Sequence, residues 1–217
     1  MLRLGLSKPD GSPLRILCLG AHCDDIEIGC GGTVLRLIEE HPTAEFHWVV
    51  FSSNPKRKAE AQAAAEQFLK GAARKEIRIL EFRDGYLPYS GALVKDAFEA
   101  LKKDVSPDLI LTHYRQDLHQ DHRLVSDLTW NTWRDQLILE YEIPKYDGDM
   151  GIPNLFVPVS GEQAARKVKA ILEGYPTQKG RQWFEEDTFY SLMRLRGMEA
   201  NSPSRYAEAF HGRKSVL

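Results

Sequence analysis

The chain has 217 residues, a length at which one globular domain can bury a substantial core without disulfide or metal cross-links. Hydrophobic residues make up 42% of the chain and charged residues 28%, which excludes a disordered, collagen-like or coiled-coil protein. The formal net charge of −2 gives no indication of a nucleic-acid or anionic-membrane partner, and no run of 18 apolar residues predicts a transmembrane segment.

The N-terminal residues 1–13 contain no apolar stretch of the signal-peptide kind, and we predict a short arm ahead of a single domain that spans residues 1–217. The three cysteines, Cys18, Cys23 and Cys30, are an odd number and form no disulfide framework. A reducing compartment, and hence a cytoplasmic location, fits this usage best. We expect all three to be ordinary buried thiols.

Strand and helix patterns alternate from residue 14 to residue 133. Short apolar runs predict four strands, and segments with apolar residues at helical spacing follow each of them. Asn54 is a suitable N-cap for the second helix, Pro55 suits its first position, and Gly71 suits its end. The strands are predicted over residues 14–19, 46–51, 77–82 and 108–112, and the helices over residues 29–40, 55–70, 91–103 and 123–133.

The rest of the chain has weaker patterns. We predict a loop over residues 144–153, a strand over 154–158, and helices over 162–173 and 188–196. Repeated strand–helix units imply parallel strands with right-handed crossovers, so the expected fold is α/β: a Rossmann-like, doubly wound, mostly parallel sheet with helices on both faces. Ligands of such sheets bind beyond the carboxyl ends of the strands, where the loops after the first and fourth strands should converge.

Residue types that bind metals are concentrated in these two loops. His22 and Asp25 follow the first strand, and residues 113–122 contain three of the seven histidines together with two aspartates. Zinc binds histidine nitrogen and carboxylate oxygen, and a catalytic zinc site keeps one position open for water. His22 and Asp25 are three residues apart, as are His119 and His122, so each pair falls on one face of a helical turn. The pattern predicts a site with two histidines and one aspartate.

Capping residues and a nucleotide-binding loop are two alternatives to a metal site. Either loop alone could contain only helix-capping and solvated side chains, but two such clusters at converging strand ends favour a site. The glycines of residues 29–32 follow a strand, as in a dinucleotide-binding loop. However, the G-x-G-x-x-G pattern is absent, and His22 stands where its second glycine would be, so we expect no pyrophosphate site.

The two loops also resemble the signatures of a known family. Residues 21–25 read A-H-C-D-D and residues 29–33 read G-C-G-G-T, which resembles the A-H-P-D-D-E…G-x-G-G signature of the PIG-L (LmbE-like) de-N-acetylase family. Residues 119–122 read H-Q-D-H and resemble that family's H-x-D-H signature. Weaker similarities include Arg57 ahead of an alanine-rich helix and Asp84 after the third strand.

The resemblance implies a zinc-dependent hydrolase that removes the acetyl group from a small-molecule N-acetylated amino-sugar conjugate. By motif position, His22, Asp25 and His122 would hold the metal, and Asp24 would be the general base. His119 would stabilise the oxyanion or protonate the leaving amine. These roles match what amide hydrolysis needs: a polarised carbonyl, an activated water and a proton donor.

Three further residues have supporting roles in this interpretation. Asp121 would orient His119, as the family motif implies. Arg57 and Asp84 are candidate substrate-binding residues, although a solvated helix face explains Arg57 equally well and Asp84 precedes a glycine in a plain turn pair. Zinc is the default metal for this ligand set, but Fe²⁺ or another divalent ion binds the same ligand types.

The sequence departs from the family pattern in three places. Cys23 replaces a proline, Ile26 replaces a glutamate, and Asp117 and Leu118 precede His119 where some relatives have an aromatic residue. Two alternatives to the amino-sugar deacetylase stay open: a metal-dependent amidase for a non-sugar N-acyl compound, and a non-catalytic nucleotide- or sugar-binding module. The sequence also leaves a homo-oligomer open.

Overall fold

In this computed structural model, which describes residues 4–216, strands and helices alternate along most of the chain. The strands are β1 (Arg15–Gly20), β2 (Glu45–Ser52), β3 (Arg74–Phe82), β4 (Leu109–His113), β5 (Leu137–Tyr141), β6 (Leu155–Val159) and β7 (Tyr206–Gly212). The helices are α1 (Asp25–Glu40), α2 (Pro55–Phe68), α3 (Gly91–Asp104), α4 (Gln120–Thr132), α5 (Gly161–Gly174) and α6 (Glu186–Glu199). Two short 3₁₀ helices cover Leu87–Ser90 and Pro176–Gln178.

These seven strands form one sheet in the order β3-β2-β1-β4-β5-β7-β6. The first five strands in that order are parallel, whereas β7 runs antiparallel to both β5 and β6. Every residue of β4 and all but the first of β1 are buried, as expected for central strands covered on both faces. The predicted α/β fold with a mostly parallel sheet is therefore confirmed.

Helices cover both faces of the sheet. Phe68 of α2 and Ile171 of α5 belong to the larger core, on the face that α1, α2, α5 and α6 cover. Phe98 of α3 and Val125 of α4 belong to the core on the opposite face. Strand β2 lies on one side of β1 and β4 on the other, so the strand order reverses between β1 and β4. A ligand site in a doubly wound sheet is expected at this reversal.

The structure differs from the sequence prediction in two strands and in the starts of α1 and α4, and α4 begins at Gln120 instead of residue 123. Strands β5 and β7 were not predicted; β7 contains two small alanines and a buried glutamate, so it lacks the continuous apolar run of the other strands. Helix α1 begins at Asp25 instead of residue 29, and its backbone is non-helical at Cys30 (φ −145°, ψ 17°). The glycines near Cys30 therefore lie inside the helix, at a break.

Buried charged groups stabilise this break in α1. The backbone N–H groups of Gly32 and Thr33 donate to the Glu208 carboxylate of β7, at 2.8 and 2.6 Å. The ammonium group of Lys167 on α5 lies 2.5 Å from the same carboxylate, and both side chains are buried. A paired and hydrogen-bonded carboxylate replaces the acceptors that the break removes. The part of α1 that follows the break is thereby fixed to β7 and, through Lys167, to α5.

Residues 4–13 of the predicted N-terminal arm form no helix or strand, and residues 1–3 lie outside the described residues. Between residues 4 and 216, none of the helices is both long and apolar enough to cross a lipid bilayer. The assignment of residues 1–217 to one domain stays a prediction.

Close packing between α1 and β5 leads to a first prediction. A Cβ atom added at Gly29 would overlap the ring of Tyr141, whose hydroxyl is held by a 2.6 Å bond to the Leu19 carbonyl. We therefore expect Gly29→Ala to lower the free energy of unfolding by about 1–3 kcal/mol, measured by urea denaturation. Gly91→Ala is the control, because its Cβ would meet nothing within 4 Å. Equal losses in both variants would contradict the packing argument.

Candidate functional site

The two loops singled out by the sequence meet where the strand order reverses. Asp24 immediately precedes α1, and Asp25 is the first residue of that helix. His119 immediately precedes α4, and His122 lies in the first turn of α4. His22 completes the group from the loop after β1. All five side chains are buried or half-buried at the carboxyl ends of two neighbouring strands.

Three of these side chains present ligand atoms at the spacing of a metal site. His22 Nδ1 lies 3.1 Å from His122 Nε2 and 3.4 Å from Asp25 Oδ2. Asp25 Oδ1 lies 3.6 Å from His122 Nε2. A tetrahedral zinc ion with ligands at 2.0–2.1 Å would separate its ligand atoms by about 3.3–3.4 Å. The donor types therefore fit a small divalent cation. The close ligand atoms also include those of His119, beside His22 and His122, and those of His113, beside Asp25 and His122.

A carboxylate lies behind each of the two histidines. Asp121 Oδ2 is 3.2 Å from His22 Nε2, and Asp117 Oδ2 is 2.9 Å from His122 Nδ1. The Lys145 ammonium group lies 2.8 Å from the same Asp117 oxygen. Although burial opposes it, His122 and Lys145 hold the pKa of Asp117 far below its usual range. A carboxylate at this distance favours the ring proton on the nitrogen that faces it, Nε2 of His22 and Nδ1 of His122, and in a neutral ring the other nitrogen is then available to a metal.

The surroundings shift the pKa values of the two histidines in opposite directions. Burial, with the neighbouring His113, lowers the pKa of His122 to about 3, so this ring is neutral at physiological pH. Burial opposes protonation of His22 as well, but Asp25 and Asp121 outweigh it and raise the pKa of His22 well above its ordinary value. A metal ion that binds here must therefore displace a proton from His22.

Asp25 is held as a carboxylate by its neighbours. Its Oδ2 accepts a hydrogen bond from the backbone N–H of His22 at 2.6 Å and lies 3.1 Å from His113 Nε2. Burial would raise the pKa of Asp25, but His122 and His113 lower it well below its usual range. The ring of the fully buried His113 stacks on that of His122, with 4.0 Å between the centroids. His113 thus supports two of the candidate ligands at once.

Asp24, which precedes the candidate ligand Asp25 in the chain, pairs with an arginine. Its Oδ2 is 3.0 Å from a guanidinium nitrogen of Arg57, and the carboxyl group is almost fully buried. Burial raises the pKa of Asp24, while Arg57 opposes that rise. Asp24 is thus a buried carboxyl group with a raised affinity for a proton, which suits a group that accepts one. Arg57, predicted to bind substrate, has its charge directed at Asp24.

His119 and Asp121 are arranged differently from the sequence-based expectation. The Asp121 carboxylate bonds His22 and accepts hydrogen bonds from the backbone N–H groups of Gly85 (2.8 Å) and Leu87 (3.2 Å). Its backbone N–H, instead of its carboxylate, contacts His119, by donating to Nδ1 at 3.2 Å. Burial and then His22 lower the pKa of His119. The neutral His119 ring therefore carries its proton on Nε2.

An open cavity of about 250 Å³ adjoins this group. Asp84, predicted to bind substrate, is 80% exposed and its Oδ1 lies 3.2 Å from His22 Nε2. This volume is slightly below the range of about 300–1,000 Å³ that is typical of ligand pockets, and it suits one small polar unit. The cavity is lined by His22, Cys23, Ser52, Ser53, Asn54, Arg57, Arg83 and Asp84.

Two of the three departures from the family signature, at Cys23 and Ile26, are accommodated by burial, whereas Leu118 of the third is exposed. The Cys23 thiol donates to the carbonyl of Ser52 at 3.3 Å, and burial raises its pKa to about 12. Ile26 lies in the core, while the next residue, Glu27, turns its carboxyl group to the hydroxyl of Tyr175. Burial raises the pKa of Glu27 to about 8. Neither Cys23 nor Glu27 belongs to the three-ligand group.

Three residues near this group had no role in the sequence interpretation. Asp117 and His113 belong to the predicted histidine cluster, so a search for carboxylates close to a ligand histidine would have found Asp117. Lys145 lies 23 residues beyond His122, in a loop after a strand that was not predicted. Its ammonium group bridges Asp117 and Asp149, at 2.8 and 2.6 Å. No local pattern in the sequence indicates this long-range contact.

Residues 17–133, more than half of the chain, match the family model described as PIG-L: GlcNAc-PI de-N-acetylase. The matched region runs from β1 to the end of α4 and contains both loops. It ends before β5, so the C-terminal third of the chain lies beyond it.

Solved structures share the fold over almost the whole chain. N,N'-diacetylchitobiose deacetylase from Pyrococcus horikoshii has 22% identity and a TM-score of 0.72, with coverage of 94% of this chain and 85% of that one. The zinc-inhibited form of teicoplanin deacetylase Orf2 has 16% identity and a TM-score of 0.69, with coverage of 93% and 100%. GalB, the 4-carboxy-2-hydroxymuconate hydratase from Pseudomonas putida KT2440, has 16% identity and a TM-score of 0.74, with coverage of 94% and 98%. These likenesses show the fold.

Cysteine reactivity tests the burial of the loop after β1. All three cysteines are free and buried, and the raised pKa of Cys23 keeps its thiol protonated at pH 8. Because the thiolate is the reactive form, we expect iodoacetamide to label none of them in the folded protein at pH 8, and all three after denaturation. Intact-protein mass spectrometry measures the labelling. Rapid labelling of Cys23 in the folded protein would contradict the described packing of this loop.

Proposed function

The chain belongs to the PIG-L family of de-N-acetylases, and on that basis we propose that it is a metal-dependent hydrolase that removes the N-acetyl group from an amino-sugar conjugate. One observation carries the proposal. His22 Nδ1 and His122 Nε2 lie 3.1 Å apart, and Asp25 directs one carboxylate oxygen to each of them, at 3.4 and 3.6 Å, while the buried carboxyl group of Asp24 precedes Asp25 in the same loop. This combination supplies the two things that amide hydrolysis needs most, a cation site and a base.

The side chains of His22, Asp25 and His122 form the proposed metal site. A divalent ion held by His22, Asp25 and His122 would polarise the amide carbonyl and lower the pKa of a water molecule. Zinc is the first candidate for two histidines and one carboxylate, and Fe²⁺ is the second. The zinc-inhibited form of a protein with the same fold supports an interaction with divalent metal. For the same reason, assays should contain one equivalent of zinc and no excess.

Asp24 is the proposed general base. Its carboxyl group is buried, which raises its affinity for a proton, while Arg57 keeps that affinity moderate. It would take a proton from the attacking water, a contribution of roughly 10²–10⁴-fold to the rate. The same carboxyl group is then able to return this proton to the amine nitrogen as the carbon–nitrogen bond breaks.

His119 is the proposed oxyanion stabiliser. Its Nδ1 accepts the backbone N–H of Asp121, and its pKa is lowered, so the ring offers an N–H donor at Nε2 without an extra proton. A preorganised donor of this kind stabilises negative charge that develops on the carbonyl oxygen. Between the two roles that the sequence left open for His119, this geometry favours oxyanion stabilisation over protonation of the amine.

The adjoining cavity is the proposed binding place of the sugar unit. The exposed side chain of Asp84 lines this cavity, so the cavity offers carboxylate oxygens to sugar hydroxyls. The structural similarity to a diacetylchitobiose deacetylase supports a sugar substrate. A metal-dependent amidase for non-sugar N-acyl compounds is the alternative, and the similarity to a hydratase shows that this fold also serves other reactions.

Metal analysis and an acetate assay test the function. We expect about one divalent ion per purified chain and release of acetate from N-acetylglucosamine or N,N'-diacetylchitobiose, but not from N-acetylated amino acids. Asp24→Asn should keep the metal and lose at least about 10²-fold in turnover, because it removes the base. Asp96→Asn, an exposed change on α3, is the control. Acetate from the amino acids alone would favour the amidase, and a chain that takes up no metal would contradict the proposal.

The carboxylate behind His122 gives a separate prediction. Asp117→Asn removes the charge that fixes the His122 ring, and loss of such a partner typically weakens metal binding about 10–100-fold. Competition with a chromophoric chelator measures the affinity. Asp127→Asn is the matched control, since Asp127 is half exposed and pairs with Arg115 at the surface. Unchanged affinity in Asp117→Asn would mean that Asp117 has no part in holding the metal.

A further inference from the structure

Arg57, the partner of Asp24, is held from several sides. One terminal nitrogen of its guanidinium group lies 3.0 Å from Asp24 Oδ2, and the other donates to Thr177 Oγ1 at 3.2 Å. Only 16% of the side chain is exposed. Glu60, one helical turn further along α2, lies 3.9 Å from the second nitrogen. The charged end of Arg57 is therefore directed inward, between two buried carboxyl groups.

The guanidinium group of Arg57 packs against an aromatic ring. The guanidinium carbon lies 5.2 Å from the ring centroid of Tyr175, a cation–π distance. The ring is fully buried, and the Tyr175 hydroxyl donates to the carboxyl group of Glu27 in α1. Tyr175 therefore has two attachments, one to the helix that begins with Asp25 and one to the arginine that faces Asp24.

The segment that carries Tyr175 is itself bound to α2. The hydroxyl of Thr177 donates to Glu60 Oε2 at 2.5 Å, and its backbone N–H donates to Glu60 Oε1 at 2.9 Å. This segment follows α5 and includes the 3₁₀ helix Pro176–Gln178. Both carboxylate oxygens of Glu60 thus hold the segment that encloses Arg57. The segment also lies outside residues 17–133, the part of the chain that matches the family model.

We propose that Tyr175 and Thr177 are positioning residues for the general base, and that they act by holding Arg57 against Asp24. The proposal rests on the proposed function, because it takes Asp24 as the base. Arginine has many rotamers, and contacts that fix it in advance remove the need to order it during the reaction. The C-terminal third of the chain thereby contributes to a site whose signature residues all lie before residue 133.

The competing possibility is that Arg57 binds the substrate directly, since it also lines the cavity. The two roles of Arg57 predict different kinetics. A displaced positioning arginine misplaces the base and lowers kcat, whereas a lost substrate contact raises KM. A displacement of about 1 Å in a catalytic group can cost about 10²-fold in rate.

Steady-state kinetics of acetate release distinguish the positioning role of Arg57 from direct substrate binding. We expect Tyr175→Leu to lower kcat by about tenfold to 10²-fold with an unchanged KM and an unchanged metal content. Tyr175→Phe, which keeps the ring under Arg57, should retain most of the kcat. Thr177→Val should lower kcat in the same way as Tyr175→Leu, and serves if Tyr175→Leu fails to fold. Tyr190→Leu, a half-buried tyrosine on α6, is the control. A raised KM with unchanged kcat, or an unchanged kcat in the leucine variant, would overturn the proposal.

A double-mutant cycle tests the same contact without any substrate. Asp24→Asn, Arg57→Gln and the double variant are compared by their urea unfolding midpoints, in the wild-type chain and in Tyr175→Leu. We expect the double variant to lose less than the sum of the single variants in the wild-type chain, and the losses to become additive in Tyr175→Leu. Thr177→Val replaces that background if the leucine variant does not fold.

The two experiments distinguish a failure of the proposed function from a failure of the positioning role. If the wild-type chain releases no acetate from any compound, the proposed deacetylase function is contradicted, while the unfolding cycle still decides whether Tyr175 holds Arg57 against Asp24. Coupling between Asp24 and Arg57 that persists unchanged in Tyr175→Leu would overturn the positioning role, whatever the wild-type activity.

Discussion

Every charge taken out of water in this site requires a partner, and much of the surrounding structure follows from that requirement. An unpaired buried charge costs several kcal/mol, so a site of histidines and aspartates below the surface forms only if each group is compensated. Asp117 is compensated by His122 and Lys145, and Asp24 by Arg57. These partners come from other parts of the chain, because Lys145 lies in the loop after β5 and Arg57 lies in α2.

The candidate ligands could be predicted from the sequence because their signals are local. His22 and Asp25, like His119 and His122, are three residues apart after a predicted strand, and the rule for parallel sheets brings the two strand ends together. Their partners could not be predicted in this way. The Asp121 carboxylate bonds His22 instead of His119 because amides of another loop hold it from the side. Such a contact depends on three segments at once and has no spacing in the sequence.

The same distinction applies to the fold. The parallel strands β1 to β4 are apolar runs followed by helical patterns, and each could be recognised within about ten residues. Strand β7 could not, because its buried Glu208 interrupts the apolar pattern and is stable there only through Lys167 of α5 and two amide groups of α1. The break in α1 at Cys30 has the same origin. The helix gives up regular hydrogen bonds at a point where a carboxylate from another element replaces them.

A hydratase and two deacetylases share the architecture of this chain, so the fold alone does not decide the reaction. In the proposed mechanism two side chains handle protons, and each has a polar partner: Asp24 pairs with Arg57, and His119 contacts the backbone N–H of Asp121. Burial raises the pKa of Asp24 and Arg57 opposes that rise, while the backbone N–H of Asp121 bonds Nδ1 of His119 and so places the proton of the neutral ring on Nε2. A base and a neutral N–H donor are what the addition of water to an amide carbonyl requires. The partners of the signature residues thus restrict the reaction more narrowly than the fold does.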